Sequence, residues 1–124
     1  DFRLKTNALR FEEGSMNLMG IFGLGAAIDL LLEIGIEKIH ARVLDLGDVI
    51  IGVAENRGYA VLTPGPREER GGNVTFSGNF DPVQQRDALR KKGIMVNARG
   101  GGIRVSPHFY NREEEIQKAF FALD

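Results

Sequence analysis

The chain has no cysteine. It therefore has no disulfide, no thiolate nucleophile and no Cys-ligated zinc or iron–sulfur centre. Histidine is nearly missing too. His40 and His108 lie far apart in sequence, which argues against a metal site. Charge of one sign is not in excess: the formal net charge is -1, so there is no electrostatic reason to expect nucleic acid or an anionic membrane as partner. No long apolar run reaches membrane-spanning length either. The stretch Leu18–Ile34 is interrupted by Asp29 and Glu33, whereas a span needs about 20 apolar residues. The first ten residues carry Arg3, Lys5 and Arg10 with no apolar core between them, so no signal peptide is visible. These absences fit a cytoplasmic protein. There is no internal repeat, linker or low-complexity segment, and no initiating Met, so the chain reads as a piece of a longer protein.

What is present is ordinary for a globular domain: 124 residues, 43% apolar and 27% charged, enough for one core. Residues 18–34 read as a buried helix ended by Gly35. Its Gly23-Leu24-Gly25 is not a dinucleotide fingerprint, because no strand precedes it and Ile28 stands where a third glycine would be needed. Ser15 and Asn17, just before it, are ordinary caps or, with Gly14, a seat for an anion at the helix N-terminus. Ile36, Ile39, Val43, Leu46, Ile50 and Val53 recur at steps of three and four, which predicts an amphipathic helix over 36–57 stopped at Gly58.

Residues 59–63 read as a short strand and 67–72 as a loop. Val74 and Phe76 alternate with Thr75 and Ser77, a half-buried strand. Asp81-Pro82 opens a helix that runs to Lys92 and stops at Gly93. Residues 94–98 and 103–106 form a hairpin turned by the glycines at 100–102. Asn111 caps a final helix with Glu114 as its capping-box partner; its inward stripe is Ile116, Ala119, Phe120 and Leu123. The expected fold is α+β, an α/β sandwich: a small, mostly antiparallel sheet with helices on one face, after a long glycine-rich helix.

Ile103 and Val105 face inward in this scheme, so Arg104 and Ser106 point the other way. Spacing alone leaves two readings of Arg104. It is a solvated surface charge, or a guanidinium held on a rigid strand to give two parallel hydrogen bonds to a carboxylate. His108, Phe109 and Tyr110 lie in the turn beyond it.

Three stretches taken together carry a resemblance. They are Arg10-Phe11-Glu12-Glu13-Gly14-Ser15-Met16-Asn17, the helix from Gly20 to Gly35 with its Gly-Leu-Gly-Ala-Ala, and the run from Gly93-Ile94 through Ile103-Arg104-Val105-Ser106-Pro107-His108-Phe109-Tyr110-Asn111. In this order they resemble the C-terminal small domain of a class V aminotransferase. These are fold-type I pyridoxal-phosphate enzymes, a family that also includes cysteine desulfurases, selenocysteine lyases, kynureninases and isopenicillin-epimerase-like proteins.

The resemblance implies that residues 1–17 belong to a loop from a large domain and 18–124 to the small domain. It implies that Arg104 binds the α-carboxylate of an amino-acid substrate and that Arg99 lies near a second family arginine. Ser15 stands where the family usually has Thr, on a loop reaching across a homodimer to the partner subunit's cofactor phosphate, and Gly14 lets the backbone approach. The cofactor implied is pyridoxal 5'-phosphate. The family's Schiff-base lysine lies upstream of these residues, and Lys5, Lys38, Lys91, Lys92 and Lys118 do not match its setting. No catalytic residue is expected here, and the fragment alone is expected to be inactive. Desulfurases of this family carry a nucleophilic cysteine between the stretches matching Val96 and Arg104. The short, Cys-free segment here disfavours that branch and leaves an aminotransferase, an epimerase or a carbon–oxygen or carbon–nitrogen lyase. The competing reading is a non-catalytic α/β module that binds a small metabolite for regulation.

Overall fold

The computed structural model describes residues 3–12 and 14–123; Asp1, Phe2, Glu13 and Asp124 lie outside the described residues. The chain divides into two compact units, Asp1–Gly35 and Ile36–Asp124.

The first unit holds a 3₁₀ turn, Ala8–Phe11, and helix α1, Leu18–Ile34. Asn17 caps α1: its side chain accepts the Gly20 N–H at 3.0 Å. Gly35, at φ 95, ends it. The expectation of a buried helix is not met within these residues, since α1 buries none of its side chains and Met19 and Phe22 are 88% and 77% exposed. Apolar residues occupy every side of α1, so no single stripe could cover itself against one neighbour. Among the described residues no single helix is long and apolar enough to cross a membrane.

The second unit begins with α2, Ile36–Asn56. Strands β1 (Ala60–Val61) and β2 (Val74–Ser77) follow, then α3 (Pro82–Lys91), β3 (Asn97–Arg99), β4 (Gly102–Val105) and α4 (Glu113–Phe121). The four strands form one antiparallel sheet in the order β1-β2-β4-β3. Val74 and Phe76 from β2 and Ile103 from β4 meet Leu46, Ile50 and Ala54 of α2 and Ile116 and Phe120 of α4 in one core. Phe76 and Phe120 stack with ring centroids 5.0 Å apart, and Tyr59 stacks on Phe76 at 5.3 Å. Helix α3 opens on Asp81, whose carboxylate accepts the N–H groups of Val83 and Gln84 at 2.9 and 2.8 Å. Gln85 and Lys92 donate to the Leu123 and Ala122 carbonyls, tying α3 to the end of α4. The helices thus share one side of the sheet, as the expected α+β sandwich requires.

Three local expectations shift. The innermost residues of α2 are Leu46, Gly47, Ile50 and Ala54, with Val53 only half-buried and Ile36 exposed. Gly47 of α2 faces the sheet, where a Cβ would be in ordinary contact with Val74 at 3.7 Å. Residues 94–96 precede β3 without joining it. The α4 cap is Arg112, not Asn111, and its partner is Glu115, not Glu114: the Arg112 backbone N–H donates to Glu115 Oε2 at 2.8 Å. Asn111 instead accepts the His108 N–H at 2.8 Å, closing the preceding turn. The Arg112 N–H, and after it the Asn111 amide, hold the Glu115 carboxyl below the usual carboxylate range.

The segment read as a plain loop after residue 66 is pinned to α2 by ion pairs. Arg67 donates through Nε to Asp48 at 2.7 Å and through a terminal nitrogen to Asp45 at 2.7 Å. Arg70, with its side chain only 3% exposed, donates to Asp48 at 2.6 Å. Partial burial pushes the Asp48 carboxyl up, but hydrogen bonds and charge from Arg70 and Arg67 outweigh it, and its pKa falls below 3.8. A carboxyl lowered by folding stabilises the fold above its unfolded pKa, and that contribution disappears as pH falls through the folded value. Asp48→Asn should therefore lower the melting temperature at neutral pH, with the gap to the parent closing below about pH 4. Thermal unfolding followed from pH 7 to pH 3 checks this; a gap independent of pH would contradict it.

Candidate functional site

Period-two geometry assigns each strand residue to a face. Phe76 is opposite Ile103, and Ile103 is opposite Ala98, so these side chains turn toward the helices. Their neighbours turn away from them. On that outer face Arg104 stands on the internal strand β4, directly across from Thr75 on one side and Asn97 on the other. Arg99 and Gly102 are opposite each other one step further along the same face.

Arg104 is half-buried, and its Nε is enclosed without a hydrogen-bond partner. Among the described residues no carboxylate pairs with it. An enclosed, unsatisfied donor is costly unless something arrives to accept it. Arg99 is exposed and likewise makes no ion pair among the described residues.

The hairpin that carries both arginines is tight. Gly100 and Gly101 have φ values of 61 and 79, the left-handed pair that a two-residue type I′ turn requires. Gly102 does a different job. A Cβ there would lie 2.2 Å from the Phe76 carbonyl oxygen, so only glycine lets β4 pass β2 at this point.

Beyond β4 the chain turns through Pro107 into stacked rings. His108 lies 4.4 Å from Tyr110 and 4.6 Å from Phe109, centroid to centroid. Arg42 of α2 donates to the Asn111 carbonyl at 3.2 Å and so steadies this turn.

Gly14 and Ser15 belong to the first unit. Gly14 has φ +93, and nothing lies within 4 Å of where its Cβ would be. Ser15 is exposed, and Asn17 does the capping of α1, which leaves the Ser15 hydroxyl uncommitted among the described residues. An uncommitted hydroxyl beside an open backbone is a fit for a phosphate oxygen. Glu13 of the same motif lies outside the described residues.

A separate groove of about 340 Å³ is lined chiefly by Ile94, Val96, Val105, Pro107, Ile116 and Ala119. None of Gly14, Ser15, Arg99 and Arg104 lines it.

Thr75 and Asn97 are the outer-face neighbours that sequence reading did not single out. Asn97 was reachable: choosing a two-residue turn at Gly100-Gly101 puts it opposite Arg104. Thr75 was not, because the β2–β4 pairing joins strands separated by α3 and β3.

The description "Aminotransferase class-V" fits residues 1–119. A probable cysteine desulfurase of Methanothermobacter thermautotrophicus is 27% identical over 87% of this chain and 31% of its own length. An uncharacterized aminotransferase, YcbU, of Bacillus subtilis is 27% identical over 90% of this chain and 30% of its own. The chain thus spans about a third of the length of the curated relatives it matches. In fold it is similar to the apo cysteine desulfurase of Thermococcus onnurineus NA1, with a TM-score of 0.82 and 24% identity over 98% of this chain and 33% of that one.

The close strand crossing generates a test. Gly102→Ala should destabilise the second unit by about 1–3 kcal/mol through overpacking against β2, measured by urea unfolding. A midpoint equal to that of the parent would show that β2 and β4 can move apart freely.

Proposed function

The chain belongs to the class V aminotransferase family, and from that membership we propose that it is the small-domain part of a pyridoxal-phosphate-dependent enzyme acting on an amino acid. In this reading residues 1–17 belong to a loop of the larger domain and 18–124 to the small domain. The observation that carries it is Arg104, centred on the sheet face away from the helices, with an enclosed Nε and no carboxylate partner among the described residues.

Arg104 receives the α-carboxylate of the substrate. The strand fixes where the side chain starts, and the guanidinium can give two parallel donors to both oxygens. Thr75 and Asn97 flank it on the neighbouring strands. Ser15 donates its hydroxyl to the cofactor phosphate, and Gly14 lets the backbone come close; in the homodimer this contact is made to the partner subunit's cofactor. The cofactor, when bound, is the electron sink for chemistry at the carbon bearing the amine. Nothing in this chain is assigned the proton transfer. Lys92, for one, is committed to the Ala122 carbonyl.

Several relatives are named cysteine desulfurases. Here the β3–β4 connection is a glycine pair, and the chain has no cysteine, so this segment supplies no thiol. The reading accordingly favours amine transfer, epimerisation or elimination of an oxygen or nitrogen leaving group over sulfur transfer through this loop. The parent enzyme is read as cytoplasmic.

Two experiments on the full-length enzyme test this. Arg104→Ala should lower kcat/KM for the amino acid by about ten- to hundredfold, the worth of a charge-assisted hydrogen-bonded pair, while cofactor absorbance per subunit stays at the parent level. Equal loss of both would remove Arg104 from the substrate site. Ser15→Ala should speed release of pyridoxal phosphate on dialysis. In a mixed dimer that also carries one inactivated site, the defect should appear in the subunit opposite the substitution. A defect in the substituted subunit alone would contradict a contact across the dimer.

A further inference from the structure

We propose that the substrate is a dicarboxylic amino acid, with Arg104 taking the α-carboxylate and Arg99 the distal one. This rests on the reading of Arg104 given above and adds the substrate class.

The charge pattern of the outer sheet face points there. Its strand residues include two arginines, Arg99 and Arg104, and no acid. Three arginines elsewhere in the second unit behave differently. Arg67 and Arg70 are tied to Asp45 and Asp48, and Arg42 reaches Glu113 and the Asn111 carbonyl. In a chain of net charge -1, two cations left without anions on one face make a local positive field that an anionic ligand would relieve.

Their register sets the size of that ligand. Arg104 is opposite Asn97, and Arg99 is two residues further on the same strand. The two are therefore diagonal neighbours on one face, with Cβ atoms about 7 Å apart. Two long side chains rooted that far apart can close on both ends of a short molecule. A chain of two or three carbons between carboxylates meets that span; a monocarboxylic amino acid reaches one guanidinium only.

Gly102 is opposite Arg99 across the hairpin and carries no side chain of its own beside the two arginines. The type I′ turn keeps Arg99 from drifting, because its two glycines fix the strand end. Asn97, directly opposite Arg104 on the same face, is neutral and offers both donor and acceptor beside the pair.

The test uses the full-length holoenzyme and three donors, L-aspartate, L-glutamate and L-alanine, with kcat/KM for each. Calorimetric binding of glutarate, which has no amine to react, gives a second readout independent of turnover. The parent should prefer a dicarboxylic donor over alanine. Arg99→Gln should cut that preference by about ten- to hundredfold and weaken glutarate comparably. Arg99→Lys should recover part of both, since it restores charge without the fork. Arg104→Ala should depress all three donors together. If Arg99→Gln moves neither the donor ratio nor glutarate affinity while Arg104→Ala depresses every donor, the dicarboxylate inference is wrong and the Arg104 reading stands. If Arg104→Ala depresses none of them, the carboxylate site itself is wrongly placed and both fall.

Discussion

The pairing of β4 with β2 is the constraint on which the rest of the second unit depends. Side chains alternate along a strand, so burying Ile103 under α2 and α4 commits Arg104 to the opposite face. A slip of one residue would put a guanidinium into a core of stacked rings and bring Ile103 out. The penalty for an unpaired buried cation far exceeds the worth of any single contact here. Register is enforced twice more: by Gly102, which alone fits beneath the Phe76 carbonyl, and by the two-residue turn, which leaves no slack between β3 and β4. The position of Arg104 is thus a by-product of hydrophobic burial on the other side of the sheet.

Charged residues in this chain fall into two populations. One does structural work. Arg70 is buried against Asp48, Arg67 clamps the same carboxylate and Asp45, and Arg57 donates to the Phe120 carbonyl at 2.8 Å, joining α2 to α4. These pairs hold an irregular segment and helix ends, where no backbone ladder exists to do it. The other population, Arg99 and Arg104, sits where the ladder already supplies rigidity. There no carboxylate pairs with the guanidinium among the described residues, and the Arg104 Nε, like that of Arg70, is enclosed without a hydrogen-bond partner.

Much of this was legible in the sequence, for physical reasons that can be named. Val74-Thr75-Phe76-Ser77 and Ile103-Arg104-Val105 show their faces by alternation, and Asp81-Pro82 announces α3 by capping chemistry. These are local signals. What was missed is mostly non-local. Gly47 and Ala54 line the core because α2 lies close to the sheet, a fact of packing that an apolar stripe of large residues cannot reveal. Arg70 looked like one charge among several in a loop until Asp48 met it from α2. Asn111 looked like a cap, yet its side chain closes the His108 turn and the helix starts one residue later. For α1 the sequence signal was right about the helix and silent about cover: apolar residues on every side call for burial, but they do not say by what.

The hairpin tip draws a line between binding and chemistry. Glycines at both central positions mean the tip presents backbone and no side chain, so whatever approaches it meets neither nucleophile nor base. A longer loop could carry a reactive group toward the substrate; a type I′ pair cannot, because its backbone is already committed to reversing the chain. The strands behind the tip can still hold a ligand, since their outward residues are spaced by the sheet and not by the loop. The outer sheet face offers guanidinium groups, two hydroxyls and an amide but no acid, so under the proposed function its work is recognition: choosing which anion is seated, and holding it still while groups elsewhere react.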